Sequence, residues 1–236
     1  MLNYNFKEGE ILLVDKPLNW TSFDVVNKLR WKLRQLYDVK RFKVGHAGTL
    51  DPLATGLLII CTGKKTKESQ SLTSQDKTYT GTFLLGKTTL SYDLESEYTA
   101  HYPINHITEE SIEAAVKQLT GKQSQIPPIF SAKKVDGKRA YETARLGNTI
   151  DLKPSQITIS KFEIDTSNFP EINFKITCSK GTYIRSIARD FGRLLNSGAT
   201  LIKLRRTNSG NYDIKNAQSV DFWLNEIEKE ILKDEK

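Results

Sequence analysis

The stretch GHAGTLDPLATG, from Gly45 to Gly56, places one acid, one histidine and three glycines in a single short loop. An aspartate directly before a proline is pushed toward extended backbone, so Asp51 is kept out of helix and its carboxylate is restricted in direction. Gly45, Gly48 and Gly56 allow sharp turns around it and let another backbone come close. That frame suits a carboxylate presented for chemistry, whereas an isolated Asp-Pro pair is more often a turn closed by an Asx hydrogen bond. Three histidines without ligand spacing, and two cysteines, Cys61 and Cys178, each inside an apolar run, argue against a metal site or a disulfide. No metal is expected.

The elements that must hold this loop are legible as patterns. EILLVDKP reads as a buried strand ended by Pro17, after which Thr21 or Ser22 caps a helix striped by Val25, Val26, Leu29, Leu33 and Leu36. LLIICTG and TYTGTFLLG read as strands on either side of the polar segment KKTKESQSLTSQD. Thr108 opens a second helix, with Glu109 and Glu110 in its first turn, Ile112, Ala115, Val116 and Leu119 on one face, and Gly121 past its end. INFKITCSKG alternates, putting Ile172, Phe174, Ile176 and Cys178 on one side, and runs into GTYIRSIARDFGRLL with its helical stripe of Ile184, Ile187, Ala188, Phe191, Leu194 and Leu195. LIKLRR is a further strand, and SVDFWLNEIEKEILKDEK an amphipathic helix. Strands and helices mixed without βαβ alternation predict an α+β fold with a mixed, largely antiparallel central sheet flanked by helices. No composition shift marks a boundary, so one domain over residues 1–236 is expected, with an excursion at about 125–150 that starts on a rigid Pro-Pro pair.

Composition is that of a globular chain, 38% apolar and 27% charged, and its longest apolar runs are far too short to span a bilayer. With no signal peptide in the polar N-terminus, a cytoplasmic location without membrane contact is expected. The net charge of +7 is segregated: residues 28–43 hold seven basic side chains against Asp38, and residues 180–206 hold seven against Asp190. Residues 133–145 add Lys133, Lys134, Lys138, Arg139 and Arg145 against two acids. Positive charge gathered in this way is the footprint of a polyanion partner, or else a set of solvated basic faces that never meet.

GHAGTLDPLATG, together with LLVDKP upstream, DKTYTGTFLLG, QIPPIFSAKKVDGKRAYETAR, CSKGTYIRSIARDFG and LIKLRRTNSG, closely resembles the TruB family of pseudouridine synthases, from about Gly9 to Tyr212. The resemblance implies a pseudouridine-synthase fold and an isomerase that converts uridine 55 in the T loop of transfer RNA to pseudouridine, by flipping the nucleotide out and without a cofactor. Its partner would be the T-arm stem-loop, and a monomer is expected. The family carries two further readings, a guide-RNA-dependent synthase and a transfer RNA chaperone without catalysis; Asp51, Tyr79 and Arg185 together weigh against the latter.

By resemblance, Asp51 is the essential aspartate, acting as nucleophile or as base at the ribose, and Arg185 is the arginine that pairs with it and keeps it ionised. Tyr79 matches the tyrosine that stacks on the target base and takes the C5 proton. His46 matches the histidine that fills the space of the flipped base, Tyr183 a pocket tyrosine, and Leu204 a hydrophobic wall. Lys16 and Pro17 match a motif near the site with a mostly structural role. Lys133, Lys134, Lys138 and Arg139 fall in the RNA-gripping insertion and, with Arg189, Arg205 and Arg206, are expected at phosphates, a salt bridge to Asp190 being the other reading of Arg189. Two departures stand out: no C-terminal PUA domain is expected, and Leu90 occupies the first acidic position of a T-D-x-x-D pattern whose second acid is Asp93.

Overall fold

The computed structural model describes residues 4–131, 134–135, 138–139 and 152–234. They group into two compact units that no composition shift announces: one holds the residues up to Thr78 and from Arg205 onward, the other Tyr79–Leu204.

In the first unit, β1 (Ile11–Lys16) and β2 (Val44–His46) both pair antiparallel with β3 (Ala54–Thr62). Leu57, Ile59 and Cys61 of β3 are buried on one face and Leu58 and Ile60 on the other, as expected for a strand covered on both sides. Between β1 and β2 runs α1 (Ser22–Leu36), which buries Val25, Val26, Leu29 and Leu33. Its N-cap is Thr21, whose hydroxyl accepts from Asp24 N while the Asp24 carboxylate accepts from Thr21 N, a reciprocal box worth about 1 kcal/mol. Ser22, the other capping candidate, is buried and exchanges hydrogen bonds with the backbone of Leu50 instead. The polar segment after β3 winds into a 3-10 turn, Gly63–Glu68, and the short α2 (Ser69–Thr73).

In the second unit the strand order is β12 (Ala199–Ser209), β4 (Lys77–Leu85), β11 (Glu171–Cys178), β10 (Ser155–Asn168), β7 (Gly121–Gln125), and β4 and β12 also run on into the first unit, where β12 neighbours β3 and pairs with β13 (Tyr212–Asp213). β10 pairs antiparallel with both β11 and β7. Small hairpins are formed by β5 (Lys87–Thr89) with β6 (Tyr98–His101) and by β8 (Lys134–Val135) with β9 (Lys138–Arg139). Among the described residues, α3 (Glu109–Leu119) and α4 (Ile184–Leu194) are the helices of this unit, and Phe83, Phe162, Phe174 and Phe191 form its aromatic core, with Phe83 stacked on Phe174 at 4.2 Å. The helix of the C-terminal segment, α5 (Val220–Asp234), belongs to the first unit; its Trp223 indole donates to Leu13 O at 3.0 Å. The α+β class with a largely antiparallel sheet and flanking helices is thus what the sequence patterns led one to expect.

Candidate active site

The Asp51 loop joins β2 to β3 and is held from three sides within the first unit. Asn19 N donates to Pro52 O at 2.9 Å, Leu50 is tied to Ser22, and Ala54 N donates to Asp51 O at 3.0 Å. Gly48 and Gly56 adopt left-handed backbone at φ 96° and 103°, and a Cβ on Gly56 would lie 2.3 Å from Arg206 O, so glycine is required there by both conformation and space. Gly45 differs from the sequence reading: it sits in β2 without a left-handed φ, so it makes no sharp turn.

Beneath the loop lies Lys16, with 0% exposure. Its ammonium donates to Pro17 O at 2.8 Å, Trp20 O at 2.6 Å and Pro52 O at 3.4 Å, which joins the end of β1 to the residue after Asp51. Burial drives its pKa down to about 8; the Asp51 carboxylate opposes that shift and the Arg206 guanidinium adds to it. Arg206 is 1% exposed, donating from Nε to Leu57 O at 2.7 Å and from Nη2 to Gly48 O at 3.1 Å. This corrects the phosphate role expected for Arg206: its fork is consumed by carbonyls of the Asp51 loop and β3. Arg205 is similarly engaged, bidentate on Asp15 at 3.0 and 2.7 Å, although its side chain remains partly exposed. His46 is half-buried, and burial first, then the Arg206 charge, lowers its pKa, leaving a neutral, flat imidazole at neutral pH.

The second unit supplies the other residues. Tyr79 stands near the start of β4 and is buried, and Leu204 lies half-buried in β12. Tyr183 is the N-cap residue of α4, and Gln125 brackets it: Tyr183 N donates to Gln125 Oε1 at 2.8 Å and Gln125 Nε2 donates to Tyr183 O at 3.1 Å. Gln125 is a positioning residue that sequence reasoning missed, since a glutamine before Ile126 carries no signal of burial. Ser186 Oγ adds a bond to Ile126 O at 2.9 Å, so the start of α4 is pinned to the end of β7. Arg185 is 5% exposed and its Nε lies 3.5 Å from Asp93 Oδ2, which gives the retained acid of the family pattern a function while Leu90 is exposed. Arg189 is buried, bidentate on Asp190 at 2.8 and 2.9 Å and set over the Tyr92 ring, so the salt-bridge reading replaces the phosphate reading.

His46 and Asp51 therefore belong to the first unit with Lys16 and Arg206, and Tyr79, Tyr183, Arg185 and Leu204 to the second. Lys133 lies outside the described residues, and so do the side chains of Lys134, Lys138 and Arg139. Among the described residues no three His, Cys, Asp or Glu side chains gather where they could hold a metal, and no helix is long and apolar enough to cross a membrane.

Residues 34–184 match the TruB family pseudouridylate synthase (N terminal domain). The chain is 54% identical over 92% of its length to a tRNA pseudouridine synthase B of Flavobacterium johnsoniae, covering 96% of that protein. It is 52% identical over 96% of its length to the protein of the same name from Phocaeicola vulgatus, covering 97% of it. Among solved structures, a Cbf5-Nop10-Gar1 complex is similar in fold at TM-score 0.67 and 24% identity over 92% of this chain, which spans 55% of the matched one. With a family match over more than half of its residues and relatives this similar along nearly its whole length, the chain belongs to the TruB family of pseudouridylate synthases.

Proposed function

We propose that this chain is a transfer RNA pseudouridine synthase, an isomerase that converts uridine 55 of the T loop to pseudouridine without a cofactor or guide RNA, as a monomer in the cytoplasm. The observation that carries the reading is similarity along nearly the whole chain to proteins named tRNA pseudouridine synthase B, and the Asp51 loop, fixed by Lys16, Ser22 and Arg206, supports it. Asp51 attacks the nucleotide or takes a proton from the ribose, releasing the base, with Arg185 as the cation that the family resemblance assigns to it. Tyr79 stacks on the base and accepts the C5 proton once the new carbon bond has formed. Tyr183 and Leu204 shape the pocket. Neutral His46 fills the stack that the flipped nucleotide leaves, a task suited to a flat uncharged ring.

Incubation with unmodified transfer RNA, followed by carbodiimide mapping of pseudouridine, tests this directly. Modification of the T loop without added RNA is expected; a requirement for a guide RNA, or no modification at all, would overturn it. Asp51→Asn is expected to keep RNA binding and to lower turnover by about a thousandfold or more, read as single-turnover product formation beside a binding isotherm.

A further inference from the structure

We propose that the open groove bordered by Arg30, Arg34, Lys40, Arg41 and Lys43 is a phosphodiester track that holds the backbone of the substrate RNA next to the Asp51 loop; this rests on the functional reading above. The groove, about 620 Å³, lies wholly in the first unit and is floored by Val44, Gly45 and His46 of β2 and by Thr66 and Ser69. It therefore ends on the strand that leads into Asp51.

Three observations point to a polyanion. Among the described residues, none of the five cations is within ion-pair distance of a carboxylate, whereas Lys32, on the same helix, is spent on Glu228 at 3.1 Å. The wall is also set in advance: Arg30 donates from Nη1 to Asn27 Oδ1 and from Nη2 to Val44 O, both at 2.9 Å, and its guanidinium sits 5.7 Å from the Phe23 ring centroid. Arg34 Nε reaches toward Val39 O at 3.4 Å. Side chains already ordered lose less freedom on binding. Finally, no acid lines the groove, and five cations along an open channel match a repeating phosphate better than a compact ligand.

The test compares the parent protein with Lys40→Gln/Arg41→Gln/Lys43→Gln, and with Lys7→Gln/Lys215→Gln/Lys229→Gln, which removes the same charge from exposed sites of the same unit outside the groove. Affinity for labelled unmodified transfer RNA is measured across ~50 to 400 mM salt, with thermal melts confirming that each variant is folded. The groove variant is expected to lose about 2 to 3 units of the log–log salt slope and about 100-fold in affinity at ~0.1 M salt. At saturating RNA its turnover should match that of the parent, so that KM rises and kcat does not. The other variant should keep the parental slope. Equal losses in both variants, or a parental slope in the groove variant, would overturn the track while leaving the enzyme assignment intact. A parent that forms no pseudouridine but shows the stated slope difference would instead sink the assignment and leave the groove as an RNA site.

Discussion

Residues 28–43 and 180–206 each bring seven basic side chains against one acid, yet the fold uses them differently. In the later segment five of the seven are arginines, and four of those face inward or pair: Arg185 with Asp93, Arg189 with Asp190, Arg205 with Asp15, and Arg206 with two carbonyls. Only Lys180, Arg193 and Lys203 stay exposed. In the earlier segment Lys32 alone is paired with an acid among the described residues, and the other cations edge helix α1 and the groove beside it. A charge count measures what a chain carries, not what it displays. The planar guanidinium, with five donors and weak hydration, can be taken inside and satisfied by carbonyls, so an arginine-rich segment is a poor gauge of surface potential.

The largest effect that would break this contrast is at Arg206. Arg206→Met leaves the Leu57 and Gly48 carbonyls without their donors and is expected to cost about 2–4 kcal/mol, lowering Tm by about 5–15 °C; a melt near parental would show that the inward role is minor. Lys16, a buried cation outside both segments, sharpens the comparison through pH. Its folded pKa, about 8, lies below the usual lysine value, so between about pH 8 and 10.5 the unfolded chain binds more protons and stability rises with pH. Relative to Lys16→Met, the parent should gain about 5 °C in Tm between pH 7.5 and 10, and parallel curves would refute the shift. Asp190→Asn, which deprives buried Arg189 of its carboxylate, should cost about 1–2 kcal/mol in a urea melt. At the other end, Arg41→Gln should change stability by no more than about 0.5 kcal/mol while lowering the salt slope for RNA by about 0.7 to 0.9.

Much of the scaffold was legible because burial imposes a period. The stripe of α1, the alternation of β11 and the helical stripe of α4 all appear, with Leu36 and Leu194 at the stripe ends only half-buried. The long strand β10 was not visible, for a local reason. Its buried residues are Ile157 and Ile159 before a register shift, and Phe162 after it, so the inward face changes from odd to even positions and an alternating pattern is broken midway. The helical turns at 63–73 also escaped notice: they bury no residue, and Lys77 reaches back to the carbonyls of Thr73 and Gln75 at 2.7 and 2.6 Å, support that comes from outside the segment. In the site, the Asp51 loop announced itself through glycines and a proline. Whether an arginine meets a phosphate or a carbonyl depends on chain crossings far away in sequence, as with Arg206 and Gly48, and no local pattern records that.

The ammonium of Lys16 has one more effect. By gripping carbonyls on both the β1 end and the Asp51 loop, it makes the course of that loop a property of the folded protein rather than of the encounter with RNA. On the role proposed for Asp51, its carboxylate would meet the flipped nucleotide from a loop that needs no ordering of its own.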